Sequence, residues 1–169
     1  FGVAPALVLY CYWENELFNG AGQSLTGLPF LDDMLPFFPL LIAVFAGYRL
    51  AKFNVNEQSN DYFSGLPTPA LALACFALPL AAEQYEWSNI LFSYPAFIIL
   101  FSLLGGILLV SNVKLFSLKI GSKNKPLNVL RVALLVVCFA LLLSLHFVGA
   151  FLCLLVYIVF SLSAQKIIV

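Results

Sequence analysis

The sequence predicts an all-α membrane protein, a polytopic bundle of transmembrane helices with one partial and five complete spans. Of its 169 residues, 63% are hydrophobic and only 9% are charged, whereas soluble domains average about 45–50% apolar and about 25% charged residues. The mean hydropathy is +1.02, and no polar stretch is long enough to fold alone. A single membrane domain over residues 1–169 therefore accounts for the whole chain.

The spans follow from the apolar runs. The first run, 1–13, would reach only about 20 Å as a helix, whereas a bilayer core is about 30 Å thick. It also lacks the basic region and cleavage site of a signal peptide, so we expect a partial span that begins upstream of Phe1. The last two complete spans should form a hairpin, with His146 as a turn or interface residue. Complete spans are predicted at 34–53, 67–82, 90–110, 127–145 and 148–164.

The charges predict an orientation. All eight Lys and Arg residues lie in or near three segments, 49–52, 114–131 and Lys166, whereas six of the eight acids lie in the alternate segments. Because cytoplasmic loops collect Lys and Arg, we expect a multi-pass protein of the cytoplasmic membrane with both basic loops and the C-terminus in the cytoplasm. The acidic segment 14–33 is predicted to be an exterior loop.

Basic side chains at the end of the 34–53 span suggest anion binding. Arg49 and Lys52 are three residues apart, so on a helix they share a face at headgroup height. Arg binds phosphate through two hydrogen bonds, and Lys adds a mobile point charge. Asn54 adds neutral hydrogen bonding. The alternative is that these residues are topology signals that attract anionic lipids.

The second basic segment is expected to complete a cytoplasmic anion-binding rim. It contributes Ser111, Lys114 and Lys119. Between the two basic segments, Gly65, Pro67 and Pro69 are predicted to shape a loop and to fix how the next helix begins.

Other polar residues carry less information. The presumed hydrocarbon contains no Asp, Glu or His, which argues against an ion-coupled transporter or proton pump, and Arg131 is expected to snorkel from a helix end. The four cysteines lack metal-binding spacing and are expected to pack as small apolar residues. Glu57 and Asp61 are either metal ligands, a general base or part of a solvated loop. No catalytic residue is assigned within the chain, and no nucleic-acid partner is expected.

Three blocks of sequence resemble the phosphatidylserine synthases of the CDP-alcohol phosphatidyltransferase family. The order and spacing of the blocks match the family over nearly the whole chain. They are FGVAPALVLY at 1–10, YRLAKFNV with DYFSGLPTPA between 48 and 70, and LLVSNVKLFSLK at 108–119.

The resemblance implies a lipid-synthesising transferase and the C-terminal part of its fold. Such an enzyme transfers a phosphatidyl group from CDP-diacylglycerol to L-serine and releases CMP. Rival interpretations are another acceptor alcohol in the same family, or a small membrane transporter or scaffold. A homodimer is one expected assembly.

The family's divalent metal, Mg or Mn, is held by aspartates in a D-G-x-x-A-R…G-x-x-x-D-x-x-x-D signature, which this chain lacks. The metal ligands and the catalytic base are therefore expected upstream of residue 1, and the segment alone is expected to be inactive.

The resemblance also carries over individual residues. Gly2 and Pro5 either pack helices closely or leave room beside the metal site. Residues implied to bind substrate are Arg49, Lys52, Asn54, Ser111, Lys114 and Lys119, and residues implied to shape the site are Gly2, Pro5, Gly65, Pro67 and Pro69.

Overall fold

The computed structural model describes residues 1–19, 29–55, 62–92, 94–116 and 125–168. The predicted helical fold is confirmed over these residues, with two short strands added. In chain order the elements are α1 (Val3–Asn19), α2 (Pro29–Met34), a 3₁₀ helix (Leu35–Leu40), α3 (Leu41–Val55), β1 (Tyr62–Ser64), α4 (Thr68–Gln84), α5 (Glu86–Phe92), α6 (Pro95–Val110), β2 (Lys114–Phe116) and α7 (Lys125–Ile168).

The acidic segment after the first apolar run is partly helical. Helix α1 has 17 residues and continues through Glu14 and Glu16 to Asn19, which gives it a length of about 25 Å. Helix α2 then begins at Pro29. The prediction of a loop over 14–33 is therefore wrong at both of its ends. Glu14 and Glu16 continue α1 because Glu is a good helix former, and Pro29 begins α2 at the first helical position, which proline favours.

Two of the apolar runs contain breaks next to prolines. The run predicted as one span at 34–53 starts as a 3₁₀ helix with Pro36 and Pro39 in it, because proline lacks the amide donor of a regular α-helix. The run at 90–110 is divided between α5 and α6, which are bent by 66° relative to each other. Tyr94 is extended in front of Pro95, as the residue before a proline usually is.

Helix α7 reverses direction at His146, where the sequence predicts a hairpin. The backbone of His146 has φ 48° and ψ −115°. Cys153 Sγ lies 3.6 Å from the carbonyl oxygen of Cys138, although 15 residues of straight helix would separate them by about 22 Å. The amides of Phe147 and Val148 donate to Gln84 Oε1 at 3.1 and 3.3 Å. We call the residues on either side of His146 the two arms of the C-terminal hairpin.

Several helices are apolar enough to span a membrane. Asp32–Asn54 and Asn128–Ser163 meet the length and composition of a span, and α5 with α6 gives a third if the bent pair counts as one. Thr68–Gln84 is apolar but shorter. These helices indicate a membrane protein.

The core is centred on α4. This helix packs against α1, α5 and the C-terminal hairpin, and it buries small side chains such as Ala74, Cys75 and Ala81 together with Leu78. Small residues let neighbouring helices approach closely without a hydrophobic driving force. The position of α4 fixes where its N-terminus meets the basic segments.

Candidate functional site

Three helix ends meet where the sequence places its basic residues. The end of α3, the start of α4 and the end of α6 are connected by the β1–β2 pair, in which Ser64 lies opposite Lys114. Beyond the strands, the Gly65 amide donates to the Val113 carbonyl oxygen, and the Leu66 amide donates to that of Leu108, both at 2.9 Å. We call this region the basic end of the bundle.

Gly65 locks the loop before α4 onto the end of α6. Its φ is +76°, and a Cβ at this position would lie 2.6 Å from the carbonyl oxygen of Leu109 and 2.8 Å from that of Ser111. Only glycine combines this backbone conformation with such a close approach.

Pro67 and Pro69 set the start of α4. Pro67 is the N-cap residue, and its carbonyl oxygen accepts hydrogen bonds from the amides of Ala70 and Leu71 at 3.0 and 3.3 Å. Pro69 lies in the first turn, where its missing amide would have no partner within the helix. The two prolines therefore place Thr68 at the tip of the helix, next to α3.

Arg49 reaches from α3 to the tip of α4. Its Nη1 donates to Thr68 Oγ1 at 2.6 Å, and its guanidinium lies 4.3 Å from the centre of the Phe53 ring. The side chain is only 8% exposed, yet its buried Nε has no hydrogen-bond partner among the described residues. Buried polar groups are normally hydrogen-bonded, so Arg49 Nε stands out as a donor that no described residue uses.

Lys52 contacts a different neighbour. Its Nζ donates to the Val110 carbonyl oxygen at 2.9 Å and to Asn112 Oδ1 at 2.6 Å. The Val110 carbonyl belongs to the last turn of α6, where helices leave carbonyls without internal partners. Although Arg49 and Lys52 are three residues apart, they are directed to α4 and α6 respectively, so Lys52 caps a helix in this structure.

The other residues predicted to bind substrate differ in position. Ser111 ends α6, and its hydroxyl donates to the Leu108 carbonyl oxygen at 2.9 Å. Asn54 is exposed near the end of α3. Lys114 belongs to β2, which lies at the basic end. Lys119 lies outside the described residues.

Gly2 and Pro5 lie at the start of α1, where this helix meets α3. A Cβ on Gly2 would be 2.6 Å from Ala46 Cβ, and Pro5 is buried. Ala46 precedes Arg49 by less than one helical turn, so α1 begins close to the basic end. For Gly2, the contact provides the close helix packing that small residues allow.

Two neighbours of Arg49 are not predicted from the sequence. Thr68 accepts its hydrogen bond, and Tyr157, on the second arm of the hairpin, lies near its guanidinium. Tyr157 is 6% exposed. It is the only tyrosine of α7, and this rarity could have identified it from the sequence. For Thr68 the only signal is its place between two prolines.

The position of Arg131 contradicts what the sequence predicts for it. Its side chain is fully buried, and Nη1 donates to Asn128 Oδ1 at 2.8 Å. The prediction that it snorkels to the surface from a helix end is wrong, because its side chain is enclosed by protein.

The residues that the structure describes contain no group of three or more His, Cys, Asp or Glu that could hold a metal ion. Glu57 and Asp61 lie outside them. The divalent metal therefore stays a prediction.

Comparison with curated proteins confirms the resemblance to phosphatidylserine synthases. The chain is 30% identical over 134 residues to the CDP-diacylglycerol–serine O-phosphatidyltransferases of two strains of Helicobacter pylori. The match covers 77% of this chain and 49% of each relative, so the chain spans about half the length of the curated relatives it matches. No family model and no solved structure matches.

Proposed function

We propose that this relative of the phosphatidylserine synthases contributes the substrate-binding part of a transferase that moves a phosphatidyl group from CDP-diacylglycerol to L-serine, giving phosphatidylserine and CMP. The observation that carries the proposal is the 30% identity over 134 residues to two proteins that are named for this activity. The same relatives support a role in phospholipid biosynthesis.

The geometry of Arg49 supports a role in binding the substrate. The donor lipid carries a pyrophosphate, and negative charge moves onto the leaving phosphate during transfer. Positioned cationic groups stabilise such charge, most strongly where water is excluded. Arg49 is buried, is held by Thr68 at 2.6 Å and keeps Nε without a partner among the described residues. We infer that it binds either a phosphate of the donor or the carboxylate of serine.

The remaining residues of the basic end are proposed to support binding. Lys52 holds the end of α6 through Val110 and Asn112, so its loss would shift the segment that leads into β2. Ser111, Lys114, Lys119 and Asn54 are proposed to add weaker contacts to the substrates. The divalent metal is proposed to supply Lewis-acid chemistry from ligands outside the described residues.

The orientation and span count are also proposals. The basic end is proposed to face the cytoplasm, because Lys and Arg accumulate on that side of a membrane. Each arm of the C-terminal hairpin is proposed to cross the membrane once, which preserves the predicted count of one partial and five complete spans.

The test is to replace Arg49 in the full-length protein. For Arg49→Ala we expect kcat/KM for CMP release to fall by about tenfold or more, which corresponds to at least about 1.4 kcal/mol. Arg49→Lys keeps the charge but loses the planar fork, so it should restore only part of the activity. Leu50→Ala is the matched control, because Leu50 is 65% exposed on the same helix. Unchanged kcat and KM for both substrates in Arg49→Ala would contradict the role.

The acceptor is tested separately. Labelled serine should enter lipid with the full-length protein, whereas labelled glycerol phosphate, inositol phosphate and choline should not. Incorporation of one of these in place of serine would assign the chain to another branch of the same family.

A further inference from the structure

An apolar cleft of about 320 Å³ lies between α4 and the C-terminal hairpin. This volume is at the lower end of the range that small-molecule sites occupy. One wall comes from the start of α4, through Pro67, Ala70 and Leu73, and the other comes from both arms of the hairpin. From the hairpin, the lining includes Leu134, Leu135, Cys138, Ala150, Leu154 and Tyr157.

The cleft has a buried floor and an exposed apolar rim. Leu134 and Leu154 are 2% and 7% exposed, whereas Leu73 and Leu135 at the rim are 67% and 48% exposed. In a membrane helix, an exposed apolar side chain faces lipid hydrocarbon. The cleft therefore opens sideways, towards the acyl chains of the bilayer.

The cleft begins at the basic end, beside a buried cation. Pro67 lines it and directly precedes Thr68, whose Oγ1 accepts the hydrogen bond from Arg49. Tyr157 also lines it and lies near the Arg49 guanidinium. An apolar slot with a cation at one end, whose Nε has no partner among the described residues, is complementary to an anionic head attached to a hydrocarbon chain.

We propose that this cleft binds one acyl chain of the phospholipid whose phosphate lies at Arg49. The identity of that lipid as CDP-diacylglycerol rests on the proposed function, whereas the cleft itself does not. From Pro67 to Leu73 the wall measures about 9 Å, compared with about 15 Å for one leaflet of the bilayer core. The cleft therefore holds the upper part of the chain and leaves the remainder in the bilayer.

Photolabelling of the full-length protein tests the occupant directly. The probe is phosphatidic acid with a diazirine in the upper part of one acyl chain, incorporated into phosphatidylcholine vesicles, and the labelled residues are mapped by mass spectrometry. We expect label on 134–138 and 150–154. Diacylglycerol with the same diazirine chain lacks the phosphate and should label these residues severalfold less. Equal labelling by both probes, or label spread over exposed residues such as Phe139 and Leu143, would overturn the proposal.

Variants that fill the cleft provide a second test. Ala150→Phe and Ala70→Phe fill it from opposite walls, and Ala140→Phe places the same side chain at an exposed position on the first arm. We expect both cleft variants to lose most of the label and to raise KM for the lipid donor severalfold, while KM for serine and kcat stay unchanged. Ala140→Phe should behave like the wild type in both measurements.

The two readouts separate this inference from the proposed function. If both cleft variants are labelled as strongly as the wild type, and their thermal midpoints are close to that of the wild type, the cleft does not bind the acyl chain. A protein that labels in the cleft but releases no CMP with serine would contradict the proposed function and leave the acyl-chain site supported. A protein that makes phosphatidylserine without labelling in the cleft would overturn the acyl-chain site and leave the proposed function supported.

Discussion

Arg49 combines a fixed position with a donor, Nε, that no described residue uses. Burying an unpaired charge is costly, and here the cost is partly offset by the hydrogen bond to Thr68 and by the face of the Phe53 ring. A cation over an aromatic ring gains about 0.5–2 kcal/mol, depending on exposure. Because these contacts hold the guanidinium before any ligand arrives, little ordering is needed on binding.

The sequence identifies the charged residues of this site better than their partners. Arg49 and Lys52 stand out because charge is rare in this chain, but a spacing of three residues gives no information on which neighbour each one reaches. Thr68 and Val110 become their acceptors only after α4 and α6 have packed. Arg131 shows the same limit, because its complete burial is a property of the folded chain that its place near a helix end does not reveal.

Gly65 provides a prediction at the scale of one residue. In Gly65→Ala, the methyl group would meet the carbonyl oxygens of Leu109 and Ser111 at 2.6 and 2.8 Å, and a left-handed backbone costs a non-glycine residue about 1–2 kcal/mol. We expect a clear fall in the temperature at which half of the purified protein aggregates, and a loss of activity as the loop before α4 moves.

Gly47→Ala is the matched control for Gly65→Ala. A Cβ on Gly47 would meet nothing within 4 Å, and Ala is favoured over Gly inside a helix by about 1 kcal/mol. The control should therefore be neutral or slightly stabilising. If the two variants aggregate at the same temperature, the close approach at Gly65 is not present in the protein.

Among the elements, α4 joins the two ends of the bundle. Its first turn receives Arg49 through Thr68, and Gln84, at its other end, accepts hydrogen bonds from the hairpin turn at Phe147 and Val148. A shift of α4 along its axis would disturb both ends together. The cleft walls, which are α4 and the hairpin, are therefore fixed at both ends.

The hairpin predicts a specific cross-link. In α7, Cys153 Sγ lies 3.6 Å from the Cys138 carbonyl oxygen, and the two thiol side chains interact. Oxidation of membranes with copper phenanthroline should therefore join these cysteines within one chain. The oxidant takes up two electrons, and the two thiol protons are released as the S–S bond forms. Mass spectrometry after alkylation should find both thiols protected.

The remaining cysteines serve as internal controls. Cys11 is exposed on α1, and Cys75 is buried in α4, so neither should pair within the chain. Cys138→Ser should restore alkylation of Cys153. If Cys138 and Cys153 both stay reactive after oxidation, α7 does not fold back at His146, and a continuous helix of about 66 Å would take its place.

Element types were easier to predict than their boundaries. Long apolar runs identify helices because a bilayer requires internally satisfied backbone groups, and this covers most of the described fold. The break before Pro95 was missed although proline restricts the preceding residue. The β1–β2 pair could not be predicted, because three-residue strands that lie far apart in the sequence carry no local pattern.

At the scale of the whole molecule, the two ends of the bundle differ in charge. Arg49 and Lys52 lie at the basic end, whereas the opposite end carries Glu83 and Glu86 on either side of the Gln84 segment that contacts the hairpin turn. An apolar cleft that begins at the cationic end suits a lipid with an anionic head better than it suits a soluble solute. This arrangement supports the proposal of a lipid-modifying enzyme rather than the rival proposal of a small transporter, and it leads to a test on the intact protein.

Ligand-dependent heat stability distinguishes these classes. A ligand that binds only the folded state stabilises it by about 2.7 kcal/mol at one hundred times its dissociation constant. CDP-diacylglycerol should therefore raise the thermal midpoint of the full-length protein by several degrees above the value in phosphatidylcholine of the same acyl composition. The shift should shrink in Arg49→Ala and persist in Leu50→Ala, since Arg49 is hydrogen-bonded to Thr68, next to Pro67 of the cleft, whereas Leu50 is exposed. If both lipids give the same midpoint, a scaffold or transporter would fit the molecule better, because neither class needs to recognise a nucleotide-linked phosphate.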